Sequence, residues 1–137
     1  MDEAKAEEAP LRNVYVGPAG WSYADWGGIV YPSKKPTGFH EASYLAEYFD
    51  TIEVNTSFYQ PLRPAMCWQW LERVAGNPRF LFTAKLWQRF THESGATAED
   101  EKAVREGFDM LGGAGKLGAV LLQFPFRFTA RGKIRPI

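Results

Sequence analysis

Thr51-Ile-Glu-Val-Asn-Thr-Ser-Phe-Tyr59, TIEVNTSFY, alternates apolar and polar residues in the manner of a strand. Ile52, Val54 and Phe58 suit a β-sheet, and Glu53 and Asn55 stand between them. Side chains alternate along a strand, so a carboxylate and an amide are expected on the face opposite the apolar residues. That face meets either water or a pocket, and the neighbouring segments decide which.

Downstream, PAMCWQWLERVAGNP reads as a helix with Met66, Cys67, Trp70, Leu71 and Val74 on one apolar face, stopped by Gly76-Asn77-Pro78. RFLFTAKL follows as a strand. TAEDEKAVREGFDMLGG is a further helix. Thr97 suits its N-cap, Glu99, Asp100 and Glu101 favour its positive end, and Val104, Phe108 and Leu111 form its inner face. LGAVLLQFP is a strand of nearly unbroken apolar character, as expected of a parallel strand covered on its outer face.

Upstream, NVYVGPAGW (Asn13 to Trp21) reads as a strand running into a Gly- and Pro-containing loop. The segment after it holds Gly27, Gly28, Pro32, Pro36 and Gly38 among Tyr23, Trp26, Tyr31 and Phe39, a long loop without regular period. Loops of this length in compact domains are functional or disordered, and the aromatic residues argue against disorder. ASYLAEYF then places Tyr44, Leu45, Tyr48 and Phe49 at helical spacing.

The order β-α-β-α-β-α-β predicts an α/β fold with a parallel sheet. A doubly wound open sheet and a (β/α) barrel compete. A complete eightfold barrel takes about 250 residues, so four strands and three helices make about half of one. GPAG after the first strand is not G-x-G-x-x-G, and there is no P-loop, so nucleotide-type cofactor binding has no motif to rest on. The cofactor is unknown.

Bulk composition agrees with a folded domain: 137 residues, 45% hydrophobic and 15% aromatic. Lys plus Arg and Asp plus Glu are both 16, so charge gives no reason to expect nucleic acid or a membrane surface. The distribution is uneven. Residues 1–12 begin as an acidic, Ala-rich tail expected to be disordered, and residues 129–137 form a basic, irregular C-terminal end. The single cysteine excludes an intrachain disulfide and fits a reducing compartment. No apolar run approaches the roughly 20 residues that span a bilayer, and the acidic start is unlike a signal peptide. A cytoplasmic location is expected.

One choice of face is consistent across the last three strands. It keeps Ile52, Val54, Phe82, Ala84, Val120 and Leu122 toward the helices and turns Glu53, Asn55, Lys85 and Gln123 the other way, near the strands' C-terminal ends. Active sites of barrels and open α/β sheets form at that end. Two readings stand side by side: a structural ion pair with completing amides, or a ligand site. His40 and His92 fall in loops on the same side; His92 is a candidate acid–base group, and a surface role is the plain alternative. Metal-ligand spacing is absent. Cys67 reads as buried filler. Trp21, Tyr23, Trp26 and Tyr31 either stack on a ligand ring or pack the loop down.

GPAGWSY, DWGGIVYP, TIEVNTSFY, FLFTAKLWQRFTH and LGAVLLQFP, in this order and spacing, resemble the YecE-like proteins, the domain-of-unknown-function family numbered seventy-two. The resemblance runs from Tyr15 to Phe128, within a partial barrel domain expected over residues 13–128, and implies a fold similar to a TIM barrel, with family motif positions at Gly20, Trp21, Tyr23, Glu53, Asn55, Phe58, Tyr59, Lys85, Thr91, His92, Gln123 and Pro125. It implies no activity. The expected catalytic groups are Glu53, Lys85 and His92, and the expected ligand-binding groups are Trp21, Tyr23, Asn55, Tyr59 and Gln123, with no metal. The expected ligand is a small polar metabolite; a non-catalytic ligand- or protein-binding module, or a gene remnant, is the alternative. Such proteins usually continue past the fourth strand into further βα units, whereas here TARGKIRPI has no helical period, so a truncated form is expected. Open strand edges then predict self-association.

Overall fold

β1 (Thr51–Val54), β2 (Leu81–Lys85) and β3 (Leu117–Leu121) form one parallel sheet in the order β1-β2-β3. This computed structural model describes residues 13–129, so the acidic tail and nearly all of the basic C-terminal end lie outside the described residues. α1 (Glu41–Leu45) precedes β1, α2 (Pro64–Arg73) joins β1 to β2, and α3 (Ala98–Gly113) joins β2 to β3. The chain is therefore α/β with parallel strands and connecting helices, as its sequence order predicts.

Burial follows the alternation. Ile52, Val54, Phe82 and Ala84 are essentially inaccessible and pack with Leu45, Cys67, Trp70, Val74, Phe80 and Leu111. Thr51, Glu53, Leu81, Thr83 and Lys85 occupy the other face at intermediate exposure. The apolar faces read for α2 and α3 are the ones that enter the core: Cys67, Trp70 and Val74, and Val104 and Leu111, are buried, with Met66, Leu71 and Phe108 packed beside them. Thr97 caps α3 in a reciprocal box, its hydroxyl accepting from the Asp100 N–H at 3.2 Å while the Asp100 carboxylate accepts from the Thr97 N–H at 2.9 Å. Gly107 is required where α3 meets the α2 approach, because a Cβ there would collide with the carbonyl oxygen of Leu62.

Three details depart from the sequence reading. The segment expected as the first strand runs along β1 without becoming a full ladder: Ala19 forms an isolated parallel bridge with Glu53, and the Glu53 and Asp50 N–H groups donate to Pro18 and Val16. Pro18 has no N–H to offer, and Gly17 lies so close to β1 that a Cβ would strike the Thr51 carbonyl. α1 ends at Leu45, so Tyr48, expected to continue the helical spacing, lies beyond it, 66% exposed and resting on Tyr44. β3 is not covered as its composition predicts: Leu121 is 45% and Leu122 53% exposed, and Phe124, Phe126 and Phe128 beyond it are exposed too. No fourth ladder strand among the described residues pairs with its outer edge.

The N-terminal ends of the strands are tied together. The Asn77 amide, after α2, donates to the Ala46 and Phe49 carbonyls and to the Asp50 carboxylate at 3.0, 3.2 and 3.2 Å. Its oxygen accepts from the Arg79 N–H at 3.0 Å. Arg79 pairs with Asp50 at 2.9 Å, donates to the Val14 carbonyl and lies 4.2 Å from the Tyr15 ring centroid. Asn77 and Arg79 together hold Asp50 below the ordinary carboxylate pKa, the Asn77 hydrogen bond first.

Candidate functional site

At the opposite end, Glu53 and Lys85 stand on the face turned away from the helices. Glu53 is opposite Thr83 in the register, so Lys85 is its diagonal neighbour on β2. Lys85 Nζ is 3.6 Å from Glu53 Oε1, with the side chains 23% and 31% exposed. That separation is an ion pair beyond hydrogen-bond distance. Partly exposed pairs of this kind contribute about 0–1 kcal/mol, so holding the sheet together is not their main effect. The backbone of Glu53 is fixed on both sides: its N–H donates to Pro18 and its carbonyl accepts from Gly20, at 3.0 and 2.8 Å.

β1 ends at Val54. Asn55 has helical backbone angles and begins the 3-10 turn Thr56–Phe58, so the alternation that put it in phase with Glu53 does not extend to it. Ser57, which the sequence reading passed over, is 2% exposed and stitches the strand ends: its hydroxyl donates to the Val54 carbonyl at 2.9 Å and accepts from the Lys85 N–H at 3.0 Å. The legible signal was a small hydroxyl residue just after a strand, where side-chain-to-backbone bonds build turns.

The turn brings Phe58 against His92, ring centroids 5.1 Å apart and edge to face. Thr91 Oγ1 lies 2.8 Å from His92 Nδ1, and the His92 N–H donates to Gln88 at 2.7 Å. His92 is thus held in place beyond β2, at the same end as Lys85. Tyr59 is 68% exposed, and its carbonyl accepts from the Trp87 indole at 3.1 Å. Gln123 is exposed and lies two residues past the end of β3, so strand alternation does not set its direction either.

The aromatic loop is packed rather than loose. Tyr31 is 3% exposed, donates to the Trp21 carbonyl at 2.6 Å, and contacts Trp26, Phe39 and Tyr44. Burial, with Glu41 nearby, pushes its hydroxyl up to about 12, so it stays a donor. Gly20, at φ +75°, turns the chain so that Tyr23 folds back to donate to Ala19 at 2.5 Å; a Cβ there would sit 2.8 Å from the Tyr23 oxygen. Trp21 meets Trp70 of α2 edge to face at 5.1 Å. Between loop, turn and α2 lies a cleft of about 270 Å³, lined by Trp21, Tyr23, Asn55, Gln60, Met66 and Trp70 among others. Of the expected ligand-binding residues, Trp21, Tyr23 and Asn55 meet here; of the expected catalytic ones, Glu53 pairs with Lys85, while His92 and the ligand-binding candidate Tyr59 each contact Phe58.

Cys67 is fully buried, and burial pushes its thiol up to about 11, the environment of packing rather than of a nucleophile. His40 caps α1 by accepting from the Ala42 N–H at 3.1 Å; burial first, then Arg73, lowers its pKa. Among the described residues no cluster of three His, Cys, Asp or Glu is arranged to hold a metal, and no helix is long and apolar enough to cross a membrane.

Parallel βα units with polar groups at the strands' C-terminal ends define the class to which the chain belongs. Residues 15–136 match the family described as Protein of unknown function DUF72, and the chain belongs to that family. No curated protein and no solved structure matches.

Proposed function

We propose that the chain binds or processes a small polar metabolite at the C-terminal ends of its strands. The observation that carries this is the Glu53–Lys85 pair: opposite charges 3.6 Å apart on the non-helical face, partly open to solvent and too weakly coupled to be explained by stability. In this reading the βα units are part of a TIM-like barrel. Glu53 exchanges a proton with the ligand, Lys85 stabilises negative charge developing on it, and His92 is a second acid–base group. Asn55, Gln123, Trp21, Tyr23 and Tyr59 orient the ligand. The single, buried Cys67 agrees with a reducing, cytoplasmic setting.

A thermal-shift screen of sugars, sugar phosphates and small carboxylates tests the reading. A ligand is expected to stabilise the native protein and to lose its effect in Lys85→Met and Glu53→Gln. A ligand whose effect is unchanged in both variants sinks the assignment. Non-catalytic binding is the second reading, favoured by the packed aromatic loop beside the cleft; ligand binding that survives Lys85→Met with no turnover of any ligand would select it. Self-association belongs to the proposal too, because the outer edge of β3, unpaired among the described residues, and the exposed Leu121, Leu122 and Phe124 together offer open backbone and apolar surface.

A further inference from the structure

The cleft between the aromatic loop and α2 has a composition that the ion pair does not share. Its walls are Trp21, Trp70, Met66, Val54 and Tyr23, and Asn55 and Gln60 supply amides. Trp21 and Trp70 stand at 86° to each other, so the apolar corner they make is rigid and angular rather than flat. The loop wall is anchored by the Gly20 N–H to Glu53 and by the Tyr31 hydroxyl to the Trp21 carbonyl. The cleft is therefore preformed, and preformed sites lose less on binding.

Asn55 adds the polar observation. Its Oδ1 is buried and has no hydrogen-bond partner, although buried amide oxygens are ordinarily satisfied. Its backbone is already committed, with the carbonyl accepting from Phe58 at 3.0 Å. The terminal torsion of asparagine is broad and roughly twofold, so the amide can turn to present oxygen, nitrogen or both to a guest without a change of backbone. An asparagine amide matches an edge that carries a donor beside an acceptor.

We infer that this cleft is a binding site for a small planar heterocycle with adjacent donor and acceptor groups, the chemistry of a free nucleobase or a lactam ring. At about 270 Å³ the cleft lies at or below the lower end of ordinary ligand pockets, about 300 Å³, which suits one or two fused rings and excludes a dinucleotide. The ring lies against the tryptophan walls, and Asn55 pairs with its polar edge. The inference shares Trp21, Tyr23 and Asn55 with the function proposed above but does not depend on Glu53 or Lys85.

The test is a titration of the whole protein with adenine, nicotinamide and glucose, read by tryptophan fluorescence and ligand-observed NMR. Adenine or nicotinamide is expected to bind with a Kd of about 1 mM or tighter, with glucose silent. Asn55→Leu should weaken heterocycle binding about tenfold or more, and Ser22→Trp, a change at an exposed position lining the cleft, should block it with the thermal midpoint retained. Lys85→Met should leave heterocycle binding intact, so this inference and the metabolite proposal fail separately. No binding of either heterocycle at about 10 mM, equal binding of glucose, or unchanged binding in a folded Ser22→Trp protein would overturn the inference.

Discussion

The two ends of the sheet are built to opposite standards. At the N-terminal end Asp50, Asn77 and Arg79 join α1's exit, the start of β1, the start of β2 and the Val14 backbone in one network. At the C-terminal end Glu53 and Lys85 meet at 3.6 Å, Asn55 keeps a buried oxygen unpaired, and a cleft opens beside them. Parallel α/β folds separate stability from ligand binding in this way, because the loops that follow the strands are free to vary once the other end is secured. The difference teaches where substitution should cost stability and where it should cost binding.

Removing the Asn77 side chain attacks the secured end directly. Asn77→Ala leaves the Ala46 and Phe49 carbonyls without this donor and frees the Arg79 N–H, and is expected to lower unfolding stability by about 2–3 kcal/mol in chemical denaturation. A change within about 0.5 kcal/mol would remove the contrast between the ends. Acid probes the same network. Asp50 has its folded pKa depressed, so its contribution is fully present above the unfolded value of about 4 and is lost as pH falls through the folded value. Wild type should lose stability in that range, and Asp50→Asn should flatten the dependence; urea midpoints measured between pH 5 and pH 2 decide it, on the order of those limits.

His40 carries a milder version of the same sign. Its pKa is lowered, so the neutral cap is secure above the unfolded value of about 6.5 and is lost as pH falls through the folded one. The protection of the Ala42 and Tyr44 amides against exchange, relative to the unfolded chain at the same pH, should fall as pH drops through that window, and constant protection would contradict a neutral cap. The smallest stability effects belong to the open end. Lys85→Met is expected to change stability by less than about 1 kcal/mol, whatever it does to ligand. Leu121→Lys should be equally mild in stability because the side chain is 45% exposed, yet it should shift concentration-dependent species in analytical ultracentrifugation toward monomer. A wild-type chain that sediments as monomer at every concentration would remove the self-association proposal.

Much of this was readable from residue order alone. The period-2 pattern of TIEV and LFTAK predicted which side chains meet the helices, and Ile52, Val54, Phe82 and Ala84 are buried accordingly. Thr97 and Asp100 announced the start of α3 because a capping box is a local motif. Asn55 and Gln123 escaped because alternation holds only while the strand continues, and the strand ends at Val54 and Leu121. The bridging roles of Ser57 and Asn77 escaped because each has, besides a local partner, one far along the chain, Lys85 at 28 residues from Ser57 and Ala46 at 31 from Asn77. β3 misled because an apolar strand looks the same in sequence whether or not something covers it.

Residue order alone was enough for the α/β class, the faces of β1 and β2, the cap of α3 and the family, since each depends on spacing within a few residues. The tertiary structure sets Glu53 diagonally across from Lys85, encloses a cleft between Trp21, Trp70 and Asn55, and leaves the C-terminal end of β3 exposed among the described residues. The physical reason is that register and loop packing are set by contacts between segments distant in the chain, where backbone partners and steric fit choose among pairings that local pattern leaves equal.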